Sequence, residues 1–228
     1  FENPIEYHLQ GIDQTQTEEE KGYTFAEGLR SALPQDPDVI MVGEIRDNET
    51  ATTAVNASLT GHLVLSTLHT NNAAGTFPRL LDLGVNPKVI SSAINVSIAQ
   101  RLVRKLCQEC KQEVLLEGTT KKMFDTVVAG IRDKSYLDGI QQEKMWEAKG
   151  CEKCNGLGFK GRVGVYEAIL VDGKIEEAVN KNPSERDITA ASRDQGLLNL
   201  IEDGVLKILK GETSLTELKR VVDLSQLE

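Results

Sequence analysis

Several things are scarce or missing in this 228-residue chain, and each absence narrows what it can be. No apolar run approaches the ~18 residues that a membrane-spanning helix needs, so no transmembrane segment is expected. Phe1-Glu2-Asn3-Pro4 has neither a basic start nor an apolar stretch, so no secretory signal is read there. Aromatic residues make up only 4%. The core must therefore come from Val, Leu, Ile and Ala, which suits α/β and helical layers. Positive charge is in deficit, with a net charge of −9, which argues against nucleic acid as a direct partner. Internal repeats and low-complexity tracts are absent. So is any GxxxxGK[ST] phosphate loop: Gly156 to Gly164 has neither the spacing nor the Lys-Ser/Thr pair. Without an initiator Met, the chain reads as part of a longer product.

The stretch from Asp38 to Asn71 carries the clearest pattern. Val39 to Val42 is a short unbroken apolar run, as expected of a strand buried on both faces. Gly43-Glu44 places a carboxylate just past its end. Asn48 is expected to cap a helix with Ala51, Ala54, Val55 and Leu59 at helical spacing, and Gly61 to end it. Leu63 to Leu65 form a second strand, with His69 beyond it. Strand, crossover helix and parallel strand would deliver Glu44 and His69 to one sheet edge, where open α/β sheets bind ligands. His62 would lie at the opposite edge, and His8 has no supporting context. A strand-end carboxylate can orient water or hold Mg²⁺ through water, as in nucleotide hydrolysis. Many such groups are merely solvated.

Elsewhere, Gly11 to Gly22 reads as a loop or hairpin, and Thr24 to Glu27 as a capping box opening a helix to about Leu33. Asn71 or Asn72 should start a short helix ending at Gly84. Pro87 should open a longer one, over Lys88 to Lys105, with Ile90, Ala93, Ile94, Ile98, Leu102 and Val103 apolar. Between the cysteine pairs, Met123 to Ile131 and Gln141 to Ala148 are candidate helices. A strand follows at Arg162 to Ile169, and capping boxes at Ser184 and Ser214 introduce a helical tail around an amphipathic Leu197 to Leu209.

All four cysteines stand in CxxC pairs, Cys107/Cys110 and Cys151/Cys154. Four thiolates satisfy a tetrahedral zinc site, and closed four-sulfur coordination points to a structural role. Four free thiols and a redox pair are the other readings, and neither CxxC opens a helix after a strand as redox motifs do.

The motifs together resemble the type II secretion and type IV pilus assembly ATPases. PDVIMVGEIRD (Pro37 to Asp47) is similar to their Walker B segment, and TGHLVLSTLHTN (Thr60 to Asn71) to their histidine box. ENPIEY (Glu2 to Tyr7) is similar to the end of their aspartate box. QRLVRKLC, the CxxC pairs and CNGLGFKGRVGVYE are similar to their tetracysteine region. The resemblance implies an α/β, RecA-like P-loop NTPase core, here lacking its phosphate loop, with a zinc subdomain and a helical C-terminal subdomain. Residues 1–105 would be the core, 106–162 the zinc subdomain and 163–228 the helical part. It implies Glu44, His69 and Glu2 as catalytic residues, and Asn3, Arg46 and His62 as the cofactor-binding set. Cys107, Cys110, Cys151 and Cys154 would be zinc ligands. ATP, Mg²⁺ and Zn²⁺ would be the cofactors, a homohexamer the assembly and an inner-membrane platform protein the partner, at the cytoplasmic face. Asn3 stands where the family usually has Asp, and Pro34 where Arg is common. The rival reading is a non-enzymatic zinc module docking on a membrane partner.

Overall fold

A computed structural model describes residues 1–224 as a mixed α/β protein. In chain order its elements are α1 (Phe25–Ala32), β1 (Val39–Val42), α2 (Asn48–Leu59), β2 (Leu63–Ser66), α3 (Thr76–Asp82), α4 (Pro87–Ala93), β3 (Val96–Leu106), β4 (Gln112–Leu115), α5 (Gly118–Gly130), β5 (Lys144–Glu147), β6 (Phe159–Leu170), α6 (Gly173–Lys181), α7 (Glu185–Ser192), α8 (Leu200–Leu209) and α9 (Leu215–Lys219). None of these helices is long and apolar enough to cross a membrane. The chain divides into two compact units, residues 1–97 with 170–191, and residues 98–169 with 192–228. Both are discontinuous, whereas the resemblance implied three successive segments.

The first unit is organised by the βαβ stretch. β1 and β2 pair in parallel, Val39 opposite Leu63 and Val42 opposite Ser66. The crossover helix α2 begins one residue earlier than expected, because Asp47 is its cap: Asp47 Oδ1 accepts from Thr50 N at 2.8 Å and Oδ2 from Thr50 Oγ1 at 2.8 Å. Asn48 instead donates to Leu83 O at 2.6 Å. Ala51, Ala54 and Val55 are buried as their spacing predicts. At α1, Thr24 Oγ1 accepts from Glu27 N at 3.2 Å, as the capping pattern requires.

The strands differ from expectation in burial. Ile40 and Val42 are buried, but Val39 and Met41 are 54% and 50% exposed, and Leu63 and Leu65 on β2 are equally open. An unbroken apolar run records that both faces of the pleat are apolar. Whether both are covered depends on other elements, and here one face is covered.

The long helix over Lys88 to Lys105 does not form. Asn86 caps α4, which stops at Ala93, and Ile94 is already extended. Residues 96–106 are β3, paired with β6. Hydrogen bonds at both ends, Val171 N to Asn95 O at 2.9 Å and Cys107 N to Gly158 O at 2.9 Å, show that these strands run in opposite directions. The buried residues on β3 are Ser97, Ala99, Val103 and Leu106, while Ile98 and Leu102 face out at 64% and 51% exposure. Two large apolar side chains, Ile98 and Leu102, thus lie on the open face, and their helical spacing was a misleading signal.

In the second unit, β4 and β5 form an antiparallel pair, Gln112 opposite Glu147 and Leu115 opposite Lys144. The helix expected over Gln141 to Ala148 is therefore the strand β5, with Met145 buried. α5 covers the other expected helix and buries Met123, Phe124, Val127 and Val128. α8 opens with a reciprocal cap: Asn199 Oδ1 accepts from Glu202 N at 2.9 Å and Asn199 N donates to Glu202 Oε2 at 3.0 Å. Gly204 on α8 allows close approach of α9, since a Cβ there would stand 2.5 Å from Leu218 Cδ1. Ser214 Oγ caps α9 by accepting from Glu217 N at 3.3 Å. The Glu217 carboxylate then receives Arg104 Nη2 at 2.5 Å and Arg220 Nη1 at 3.0 Å.

Candidate functional site

The parallel pairing of β1 and β2 does not stop at Val42 and Ser66. Ile45 N donates to Thr67 O at 3.0 Å, and Thr67 Oγ1 donates to Gly43 O at 2.7 Å. These two bonds hold the strand tips side by side and bring Glu44 Oε2 to 2.9 Å from His69 Nε2, across 25 residues of sequence. Arg46 Nε approaches the same oxygen at 2.5 Å. The Glu44 side chain is only 15% exposed, against 76% for His69 and 64% for Arg46. Burial pushes the Glu44 carboxyl up, but hydrogen bonds from His69 and Arg46, with the Arg46 charge, offset this and hold it below the usual carboxylate range. The result is an ionised carboxylate at the carboxyl edge of a parallel strand pair, with two nitrogen groups facing solvent beside it. Such a group can accept a proton or orient a water.

Glu2 is placed against the same strand. Phe1 N donates to Met41 O at 2.7 Å, and Gly43 N donates to Phe1 O at 2.7 Å. A Cβ on Gly43 would meet Phe1 O at 3.1 Å and Glu2 Cα at 3.5 Å, so the glycine permits this approach. Glu2 N donates to Thr15 O at 3.1 Å, Thr17 N donates to Glu2 O at 2.9 Å, and Gln14 Nε2 donates to Glu2 Oε2 at 2.7 Å. Asn3 is exposed at the following turn. His62 does not join the group. It precedes β2, at the end remote from His69, with Nδ1 3.1 Å from Ala57 O. Its Nε2 is buried and has no partner among the described residues. Sequence reasoning missed Thr67 and Gln14. No sequence signal marked Gln14, whose proximity to Glu2 exists only in the fold.

A second cluster lies in the other unit. The sulfurs of Cys107, Cys110, Cys151 and Cys154 all lie within 4.8 Å of one another. Individual separations are 3.9 Å for Cys107 to Cys151, 3.8 Å for Cys110 to Cys154 and 3.7 Å for Cys151 to Cys154. A tetrahedral zinc with arms of about 2.3 Å has sulfur-to-sulfur edges of about 3.8 Å, so the four residues fit that ion. Cys154 Sγ also accepts from Cys151 N and Gly158 N, each at 3.2 Å. Burial raises the Cys154 thiol, but these backbone N–H groups and the neighbouring thiols bring it down to about 6, while burial pushes Cys110 up to about 12. The knot is tied to the end of α8. Leu106 N donates to Glu212 O at 2.8 Å, and Lys111 Nζ donates to Gly211 O at 3.1 Å while lying 4.4 Å from the Trp146 ring centre.

The chain is a mixed α/β protein with a strand-edge carboxylate paired with histidine and four clustered thiols, and comparison with known proteins gives its family. Residues 1–220 match the Type II/IV secretion system protein family, and the chain belongs to it. It is 44% identical over 217 residues to the type IV pilus assembly ATPase PilB of Thermus thermophilus, covering 95% of this chain and 23% of that protein. It is 44% identical over 220 residues to type II secretion system protein E of Aeromonas hydrophila, covering 96% of this chain and 42% of that one. The chain thus spans less than half the length of these relatives. Among solved structures, the pilus retraction motor PilT with bound ADP superposes with a TM-score of 0.64 at 26% identity, over 99% of this chain and 52% of that one.

Proposed function

We propose that this chain is the hydrolytic part of an ATPase with a RecA-like core, working as a hexamer to power pilus assembly or type II secretion at the cytoplasmic face of the inner membrane. The observation that carries the reading is the contact of Glu44 with His69 at the carboxyl edge of the β1–β2 pair, 2.9 Å apart, in a chain whose relatives include secretion and pilus ATPases. Glu44 orients the water that attacks the terminal phosphate. His69 and Arg46 face the phosphate oxygens, where they stabilise charge as the bond to the leaving group lengthens. Glu2, with Asn3 next to it, supplies oxygens to Mg²⁺ or its water shell. His62, at the remote end of β2, has no part in the site. Cys107, Cys110, Cys151 and Cys154 hold Zn²⁺ in a closed structural site.

The test uses the protein with whatever sequence its gene places before Phe1. Glu44→Gln keeps the shape and removes the charge. ATP turnover is expected to fall at least ~100-fold, with unfolding unchanged. Undiminished turnover would remove Glu44 from the water-orienting role.

A further inference from the structure

We propose that Gln14 is a positioning residue for Glu2, setting the direction of that carboxylate. The inference rests on the reading of Glu2 given above. The Glu2 backbone is fixed on both sides, by Glu2 N to Thr15 O and Thr17 N to Glu2 O, and by the close approach of Phe1–Glu2 to Gly43. The side chain still has three torsions to settle. Gln14 settles the last of them by donating to Glu2 Oε2 at 2.7 Å. Gln14 is itself locked. Its Nε2 also donates to Tyr7 O at 2.9 Å, and its Oε1 accepts from Leu9 N at 2.7 Å. Both ends of the amide are thereby committed, which fixes the amide's orientation and leaves the nitrogen facing Glu2.

The loop supports this arrangement. Residues 14 and 16 share one side of an extended segment that bridges Glu2. Gln16 Oε1 accepts from Ile5 N at 3.3 Å. Gln16 therefore pins only the backbone of the loop. Gln14 pins the backbone and also reaches the carboxylate. Both glutamines shape the loop, but only Gln14 couples it to the carboxylate. A glutamine suits the task better than a cation. It holds one carboxylate oxygen and leaves the negative charge of Glu2 for a metal or water.

The experiment is a double-mutant cycle on ATP turnover, with an independent structural readout. Gln14→Met keeps the length and removes all three bonds. It is expected to lower kcat about 10-fold, the scale of one hydrogen bond to a charged group, with the KM for ATP changed less than ~2-fold. In a Glu2→Gln background the same change is expected to have an effect under ~2-fold, because Gln14 acts only through Glu2. Gln16→Met, which loosens the same loop, is expected to leave kcat within ~2-fold. Equal losses from Gln14→Met in both backgrounds, or an equal loss from Gln16→Met, would overturn the proposal in favour of a loop-folding role. The second readout needs no ATP. The side-chain amide resonance of Gln14 in a ¹⁵N spectrum is expected to move when Glu2 becomes Ala. A resonance that stays in place overturns the positioning claim whatever turnover does. If Glu2→Gln leaves turnover intact while the amide still moves, the reading of Glu2 fails and the steering stands.

Discussion

The tips of β1 and β2 and the knot of four cysteines bring distant residues together by opposite means. At the tips, residues 25 apart meet because a helix returns the chain to a parallel neighbour, and the His69 partner stays open to solvent at 76% exposure while Glu44 is largely covered. At the knot, two CxxC turns 44 residues apart interleave their sulfurs, with Cys107 and Cys154 at 3% and 5% exposure. The backbone presents the first set and gains little from the contact. In the second, a metal held by the four thiols would organise the backbone. An exposed ion pair contributes little stability, whereas a closed thiolate site can be worth most of a small unit's folding energy. The difference teaches that the two sets should fail differently: one should lose activity with the fold intact, the other should lose the fold.

The largest effect is expected at the knot. Cys154→Ser should reduce zinc from one ion per chain to about zero by metal analysis. It should remove a binding free energy on the order of 10 kcal/mol, so that the second unit loses its fixed packing. Trp146 is the only tryptophan and lies on β5, so its near-UV signal reports that loss. Retained zinc in this variant would break the comparison at its strong end.

Next comes Glu217, buried in the same unit. The hydrogen bond from Arg104 leads, against the cost of burial, and with the Arg104 N–H and Arg220 it brings the carboxyl down to about 2. Its folded value lies below its unfolded one, so its contribution is complete above about pH 4.5 and is lost as pH falls towards about 2. That contribution is about 3 kcal/mol. Urea unfolding should show wild type losing more stability between pH 5 and pH 3 than Glu217→Gln does. Parallel pH curves would refute the assignment.

Gly211→Ala should cost about 1–2 kcal/mol. The residue has φ 69°, and an added Cβ would stand 2.7 Å from both Lys111 Nζ and Trp146 Cδ1. The shift should appear in thermal unfolding and in Trp146 emission together. A stability loss without an emission change would place the strain elsewhere. Smallest of all, Glu44→Gln should change unfolding free energy by less than ~0.5 kcal/mol despite its effect on turnover. A loss above ~2 kcal/mol would erase the contrast between the two regions.

Much of this was legible from the chain. Spacing alone paired the cysteines, because CxxC turns are local and four sulfurs meet one coordination demand. The βαβ reading of Asp38 to Asn71 was legible because strand, glycine-ended helix and strand each carry their own signal. Residues whose meaning depends on what lies across from them were not legible. Ile98 and Leu102 fitted a helix by spacing, and only the pairing of β3 with β6 turned them outward on a strand. Asp47 displaced Asn48 as cap because Asn48 has a partner in Leu83, 35 residues away. Arg46 was expected in the cofactor-binding set, but its contact with Glu44 depends on the tip geometry and was not legible. Gln14 carried no motif, since its role exists only through Glu2.

The discontinuity of the two units bears on how the chain is made. The first unit ends with α6 and α7, and Asn72 Nδ2 donates to Glu185 Oε1 at 2.5 Å. The second needs α8 and α9. During synthesis all four cysteines have therefore been added when Cys154 is joined, while both units are still short of helices. The stretch from residue 154 to residue 191 is about 37 residues long, roughly 2–7 s of elongation at about 5–20 residues/s. In that interval a nascent chain has its thiols in hand and neither compact unit finished. Metal capture is thus open to it as an early event in its life on the ribosome, ahead of the completion of the strand tips' own unit.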